Sequence, residues 1–192
     1  MNSVLTAAKL PRYFQQLSPR AQRAYLRSLA IERFDFAPRR STLRLTSALL
    51  AALESGAPAA VQRSAQMLLD ELSSLCALAG VRLDVRSVRP RNSSGELHGI
   101  FYPRPPVRRA SPADWPLGAA ERPLIVLWMR TAQRHDIVKP KTFLRTLMHE
   151  FTHYLDYALL GLGDSPHTPG FFKRESFLVR MLMQPPPQHD LL

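Results

Sequence analysis

The hydrophobic period of this chain changes at Gly80, and no other feature constrains its fold more. Before Gly80 three segments carry apolar residues mostly three and four apart; after it, "VRLDVRSV" alternates with a period of two. "SPRAQRAYLRSLAIERF" opens on a Ser-Pro pair suited to a helix start and sets Ala24, Leu26, Leu29 and Ile31 among arginines. "STLRLTSALLAALESG" runs from a capping Ser41 to Gly56. "APAAVQRSAQMLLDELSSLCALAG" closes on Gly80, with Val61, Ala65, Met67, Leu68, Leu72 and Leu75 at helical spacings. A packed helical layer followed by strands points to an α+β fold.

Past Gly80, Val81, Leu83, Val85 and Ser87 fall on one face of a half-exposed strand. "RPRNSSGE" is a turn-rich link to a second strand, "LHGIFYP", and the two strands are expected to form a hairpin. "PRPPVRRASPADWPLGAAERP" has too much proline for a regular element. "PLIVLWMR" is a continuous apolar run, as in a strand buried on both faces. A long helix follows Pro140 and ends at Gly161 and Gly163, and "GFFKRESFLVRML" makes the last helix. We expect one domain over residues 1–183, helical over 1–80 and holding the sheet and the site helices over 81–183. Residues 184–192, "QPPPQHDLL" from Gln184 on, read as a disordered tail.

No stretch is apolar for long enough to cross a bilayer, so a soluble cytoplasmic protein with no membrane partner is expected; the oligomeric state is not legible. The single cysteine, Cys76, allows no internal disulfide and reads as a small core residue. The net charge of +11 is unevenly spread: residues 1–48 hold nine Lys/Arg against two acids, residues 82–109 seven against two, and residues 110–192 nine against eight. Arginines 82, 86, 89, 91, 104, 108 and 109 could track a phosphate backbone, making DNA a candidate partner; an arginine-rich solvated surface reads equally well.

The chemistry concentrates in "LMHEFTHYLD", residues 147–156. At about 100° per residue, Leu144, Leu147, Phe151, Tyr154, Leu155 and Ala158 share one face of the helix, while His149 and His153 lie about 40° apart on the other. At i and i+4 both imidazoles can reach one zinc ion. Glu150, about 100° round from His149, sits beside them without competing for the ion, as a group that takes a proton from zinc-bound water and passes it to a leaving amine must. A catalytic zinc needs a third protein ligand. Asp156 is on the right face but suits support of a histidine better; Glu175 lies on the next helix, as in thermolysin-like peptidases, or forms a salt bridge; His167 sits in a loop that Gly161 and Gly163 let fold back. Tyr154, Arg174 and His135 are candidate oxyanion donors with nothing to choose between them. His98 and His189 read as solvent-facing, Trp115 and Trp128 as packing residues.

The stretch "HEFTHYLDYALLGLGDSPHTPGFFKRESFL" resembles the SprT-like family of zinc metalloproteases, which includes the Spartan-type proteases acting on DNA-protein crosslinks. In that family the H-E-x-x-H helix is followed after about a dozen residues by a third ligand histidine and then an aromatic; here thirteen residues separate His153 from His167, and Phe171 and Phe172 follow. The resemblance covers about residues 140–180 and implies a zincin-like fold, His149, His153 and His167 as zinc ligands, and Glu150 as general base and acid. It departs at Thr168-Pro169-Gly170, where a glycine often follows the histidine directly, and one cysteine cannot build the zinc ribbon common in the family. The expected activity is zinc-dependent hydrolysis of a protein or peptide substrate, nucleic-acid-associated proteins being candidates, with the strand "PLIVLWM" as the edge that pairs with the substrate. Two alternatives stand beside it: a non-catalytic nucleic-acid-binding protein with a structural zinc, and a thermolysin-like small peptidase using Glu175.

Overall fold

Prolines and caps set where the helices begin in the computed structural model, which describes residues 10–92, 95–104 and 122–184. A short 3-10 turn, Arg12–Gln16, leads into α1 (Pro19–Ala30), whose Ser18 hydroxyl accepts a hydrogen bond from the Ala21 N–H. α1 stops short of the expected Phe34: Ile31 is extended, and Phe34 turns into the core. α2 (Arg40–Ser55) is capped at Arg39, two residues before the expected Ser41. The Thr42 hydroxyl accepts from the Arg39 N–H, and Ser41 instead donates to Glu71 on α3 (Pro58–Leu75). Gly56 ends α2 in the left-handed region, where glycine carries no steric cost. α3 ends before Gly80, which turns the chain into the sheet at φ 87°. Cys76, just past α3, is half-buried against the core, and burial pushes its thiol up to about 11, as befits an unreactive packing residue.

The strands are β1 (Arg82–Val88), β2 (Arg91–Asn92), β3 (Gly95–Glu96), β4 (Gly99–Tyr102) and β5 (Leu124–Arg130). β2 and β3 pair antiparallel within the segment expected to be only a link. The main sheet has the order β1-β5-β4, with β1 parallel and β4 antiparallel to β5. The expected hairpin therefore does not form. The two strands thought to pair with each other lie on opposite sides of β5. β5 is buried on both faces, as its apolar run requires: Ile125, Leu127 and Met129 enter the main core, and Leu124, Val126 and Trp128 pack with Leu97, Ile100 and Tyr102. A central strand has no free edge, so β5 cannot pair with a substrate backbone, which corrects the expectation.

The outer edge of β1 is closed by side chains. Gln62 on α3 accepts from the Val85 N–H at 2.7 Å and donates to the Leu83 carbonyl at 2.9 Å; Gln66 accepts from the Leu83 N–H at 2.8 Å and donates to the Val81 carbonyl at 2.9 Å. Two glutamines thus take the place of a neighbouring strand. The other edge, β4, pairs with β5 alone among the described residues.

One core runs from Phe34 to Leu182 and joins the helical part to the sheet. α4 (Pro140–Ala158) buries Leu144, Leu147, Phe151, Tyr154 and Leu155 of the expected apolar face in it together with Phe143, while Ala158 at the helix end is exposed, and α5 (Pro169–Leu182) adds Leu178 and Leu182. No helix among the described residues is long and apolar enough to cross a membrane. Residues 185–192 of the expected tail lie outside the described residues.

Candidate metal centre

α4 presents His149 and His153 one turn apart, and the chain then doubles back over them. Gly161 adopts φ 63°, the Leu162 N–H bonds the Asp156 carbonyl at 2.7 Å, and Leu162 is buried. The returning loop carries His167 onto the helix. Its Nε2 lies 3.1 Å from Nε2 of His149 and 3.0 Å from Nε2 of His153. All three histidines offer a ligand atom within 4.8 Å of one another, and no fourth His, Cys, Asp or Glu joins them among the described residues. Nitrogens bonded at about 2.0–2.1 Å to one tetrahedral ion stand about 3.3 Å apart, so the cluster fits a single metal ion with little adjustment.

The donor chemistry fits as well. Nδ1 of His149 lies 2.9 Å from Glu175 Oε2, and Nδ1 of His153 lies 2.7 Å from Ser165 Oγ. With a proton on each Nδ1, both Nε2 atoms turn a lone pair to the centre. Burial, then the neighbouring imidazoles of His149 and His167, pushes His153 down to about 3, so it stays neutral and able to bind a cation. His167 is lowered too, by burial and then His149, with Glu175 and Asp156 opposing. Phe171, fully buried, packs its ring 4.6–5.0 Å from all three imidazole centres and walls the cluster from the core side.

Glu150 is 6% exposed and shares a cleft of about 370 Å³ with the three histidines, Gly99, Phe101 and Ser165. Burial raises its carboxyl to about 7; His149 opposes that rise and Glu175 adds to it. Its close neighbour is Gly99 on β4, where a side chain's first carbon would fall 2.6 Å from Glu150 Oε1. A second cleft, about 480 Å³, continues past Gly99 and Glu150 between Leu97, His98, Arg145 and Phe172.

The other two ligand candidates stand one layer out. Glu175 is buried, holds His149 and accepts from Arg145 Nε at 2.9 Å. Burial alone would raise its carboxyl; the His149 hydrogen bond and the Arg145 guanidinium outweigh that and hold it below the usual carboxylate range. Asp156 is turned to Ser165 and Arg174. Burial pushes its carboxyl up, while the Arg174 guanidinium and the Ser165 hydroxyl pull against that.

Of the candidate oxyanion donors, Tyr154 is buried on the back of α4, with its hydroxyl toward the Gly80 backbone, and Arg174 is enclosed. His135 is exposed on the β5–α4 connection, and none of the three lines either cleft. His98 is exposed, as expected, but lines the second cleft; Trp128 packs as expected, with the Arg86 guanidinium 5.9 Å from its ring centre. Arg86 also pairs with Asp84, and Arg89 is buried and pairs with Glu96. Arg108, Arg109, Trp115 and His189 lie outside the described residues.

Sequence reasoning missed Ser165 and Gly99. A lone glycine inside the strand pattern "LHGIFYP" is a signal of close approach by another group, whereas Ser165 carries no sequence signal of its own. No protein-family model, no curated protein and no solved structure matches this chain.

Proposed function

We propose that this chain is a zinc-dependent metallopeptidase in which His149, His153 and His167 hold the ion and Glu150 moves the proton. The observation that carries the reading is the convergence of three imidazole Nε2 atoms, two of them 3.0–3.1 Å from the third, beside a buried carboxylate in an open cleft. Three imidazoles with no fourth ligand among the described residues match a catalytic zinc site, whereas structural sites are closed by a fourth protein ligand. When bound there, zinc supplies Lewis acidity that acidifies a water and polarises a carbonyl.

The chain's own residues supply the rest. Glu150 lies outside the ligand set and lines the cleft, placed to accept a proton from the attacking water and return it to the departing amine. Glu175 orients His149 and keeps that ring's proton away from the centre. Among the described residues β4 is the sheet edge beside the site, and the opposite edge is sealed by Gln62 and Gln66. An extended protein or peptide segment laid along β4 would cross from one cleft to the other past Glu150, with its backbone held by strand pairing. The thirteen-residue separation of His153 and His167 and the aromatics after it support a SprT-like kinship. A cytoplasmic setting and DNA as a partner rest on sequence composition and the +11 net charge alone.

Glu150→Gln tests the reading. The variant should keep one zinc per chain and its fold while losing turnover of an unfolded protein substrate by at least a hundredfold. Unchanged turnover would sink the proposed role of Glu150, and a wild-type protein that binds zinc but cleaves nothing would favour the structural-zinc alternative.

A further inference from the structure

Behind His153 a chain of buried polar groups has a fixed direction. Arg174, with no exposed surface, donates from Nε to Asp156 Oδ1 at 3.0 Å and from Nη2 to Asp156 Oδ2 at 2.8 Å. A carboxylate so held can only accept, so the Ser165 hydroxyl donates to Asp156 Oδ2, at 3.0 Å. Its one proton spent, Ser165 Oγ must accept from His153 Nδ1 at 2.7 Å. The order of donors leaves the His153 Nε2 lone pair facing the cluster. Arg174 is itself anchored by the carbonyls of Ser28 and Ile31 at the end of α1, and the Ser28 hydroxyl meets Thr168, the cap of α5 next to His167, at 2.8 Å. Ser165 also carries a backbone cost: its φ of 33° is a conformation few residues other than glycine adopt freely.

We propose that Ser165 is a positioning residue of the metal centre, a one-way hydrogen-bond relay through which the Asp156–Arg174 pair sets the tautomer of His153. The inference rests on the metal-site reading above and adds a residue that lies outside the ligand set. The strained φ gives it a clean test, because glycine removes the hydroxyl and relieves the backbone together. A residue kept only for structure would be matched or bettered by glycine; a relay would be lost.

The experiment compares the full-length wild type with Ser165→Gly in two measurements. Nitrogen-15 NMR of histidine-labelled, zinc-free protein reads the tautomer of His153, and competition with a chromophoric chelator reads Zn2+ affinity. Wild type should hold His153 with its proton on Nδ1. Ser165→Gly should show a mixed or Nε2-protonated ring and a 10- to 100-fold weaker affinity for zinc, the usual effect of removing such a support, with a thermal midpoint no lower than that of wild type. Ser165→Ala should lose affinity similarly. An unchanged tautomer in Ser165→Gly would overturn the relay whatever the affinity did, and so would wild-type affinity. If wild type binds no zinc, the metal reading fails, yet the tautomer comparison still decides the relay.

Discussion

A methyl group at Gly99 would press on the one carboxylate that the proposed chemistry needs. Its carbon would lie 2.6 Å from Glu150 Oε1, 2.8 Å from Glu150 Cγ and 2.8 Å from Leu127 Cδ2. Nonbonded carbon contacts are comfortable from about 3.5 Å, so Glu150 or β4 must shift by roughly 0.7–0.9 Å. Leu127 belongs to the core and β4 is hydrogen-bonded to β5, which leaves the Glu150 side chain as the part that gives. Gly99→Ala should lower stability by about 1–3 kcal/mol, as overpacking does. A displacement near 1 Å should cost about a hundredfold in kcat. Zinc content should stay at one per chain, because His149, His153 and His167 are not in the path of the methyl group. The assay is kcat on an unfolded protein substrate, read beside zinc content and thermal unfolding. In the Glu150→Gln background the same substitution should reduce turnover little further, since both act on one group. Wild-type kcat in Gly99→Ala, or full additivity in the double variant, would refute the proposed contact between Gly99 and the working carboxylate.

Two further outcomes follow from buried charges. Arg174→Met leaves Asp156 buried without its cation and should cost about 3–5 kcal/mol in denaturant unfolding, with much less added by a second change, Asp156→Asn; a loss below about 1 kcal/mol would contradict the described network. For zinc-free protein, folded Glu150 keeps its proton up to about 7 whereas the unfolded chain releases it near 4.5, so folded protein binds more protons in between and stability falls as pH rises through that window. Glu150→Gln stays neutral throughout. It should match the zinc-free wild type near pH 4 and exceed it at pH 8 by about 3 kcal/mol, the worth of the gap in pKa; equal stability at both pH values would show that Glu150 is not desolvated.

The parts of this molecule that follow a period were legible in the sequence. The apolar face of α4, the burial of β5 on both sides and the shared face of His149 and His153 come from spacing alone. His167 was one of three open candidates because a loop has no period; what brings it in is the return of the chain at Gly161, and spacing cannot fix that path. Strand pairing was misjudged for the same reason. β1 and β4 are near in sequence, but each gains more by covering a side of β5, the most apolar strand. Arg174 reads as a surface residue by type, and only the meeting of α1, α4 and α5 around Ser28 and Asp156 gives it enough acceptors to be buried. Gln62 and Gln66 likewise look like exposed helix positions until β1 lies beside them.

Zinc stoichiometry by elemental analysis, on purified protein beside its His167→Ala and Glu175→Ala variants, bears most directly on the metal centre. One zinc per chain is expected in the wild type, none or nearly none after loss of His167, and a retained but more weakly held ion after loss of Glu175, which supports His149 without reaching the centre. A wild-type protein that takes up no zinc even after reconstitution, or a His167→Ala variant that keeps a full equivalent, would contradict the three-histidine site.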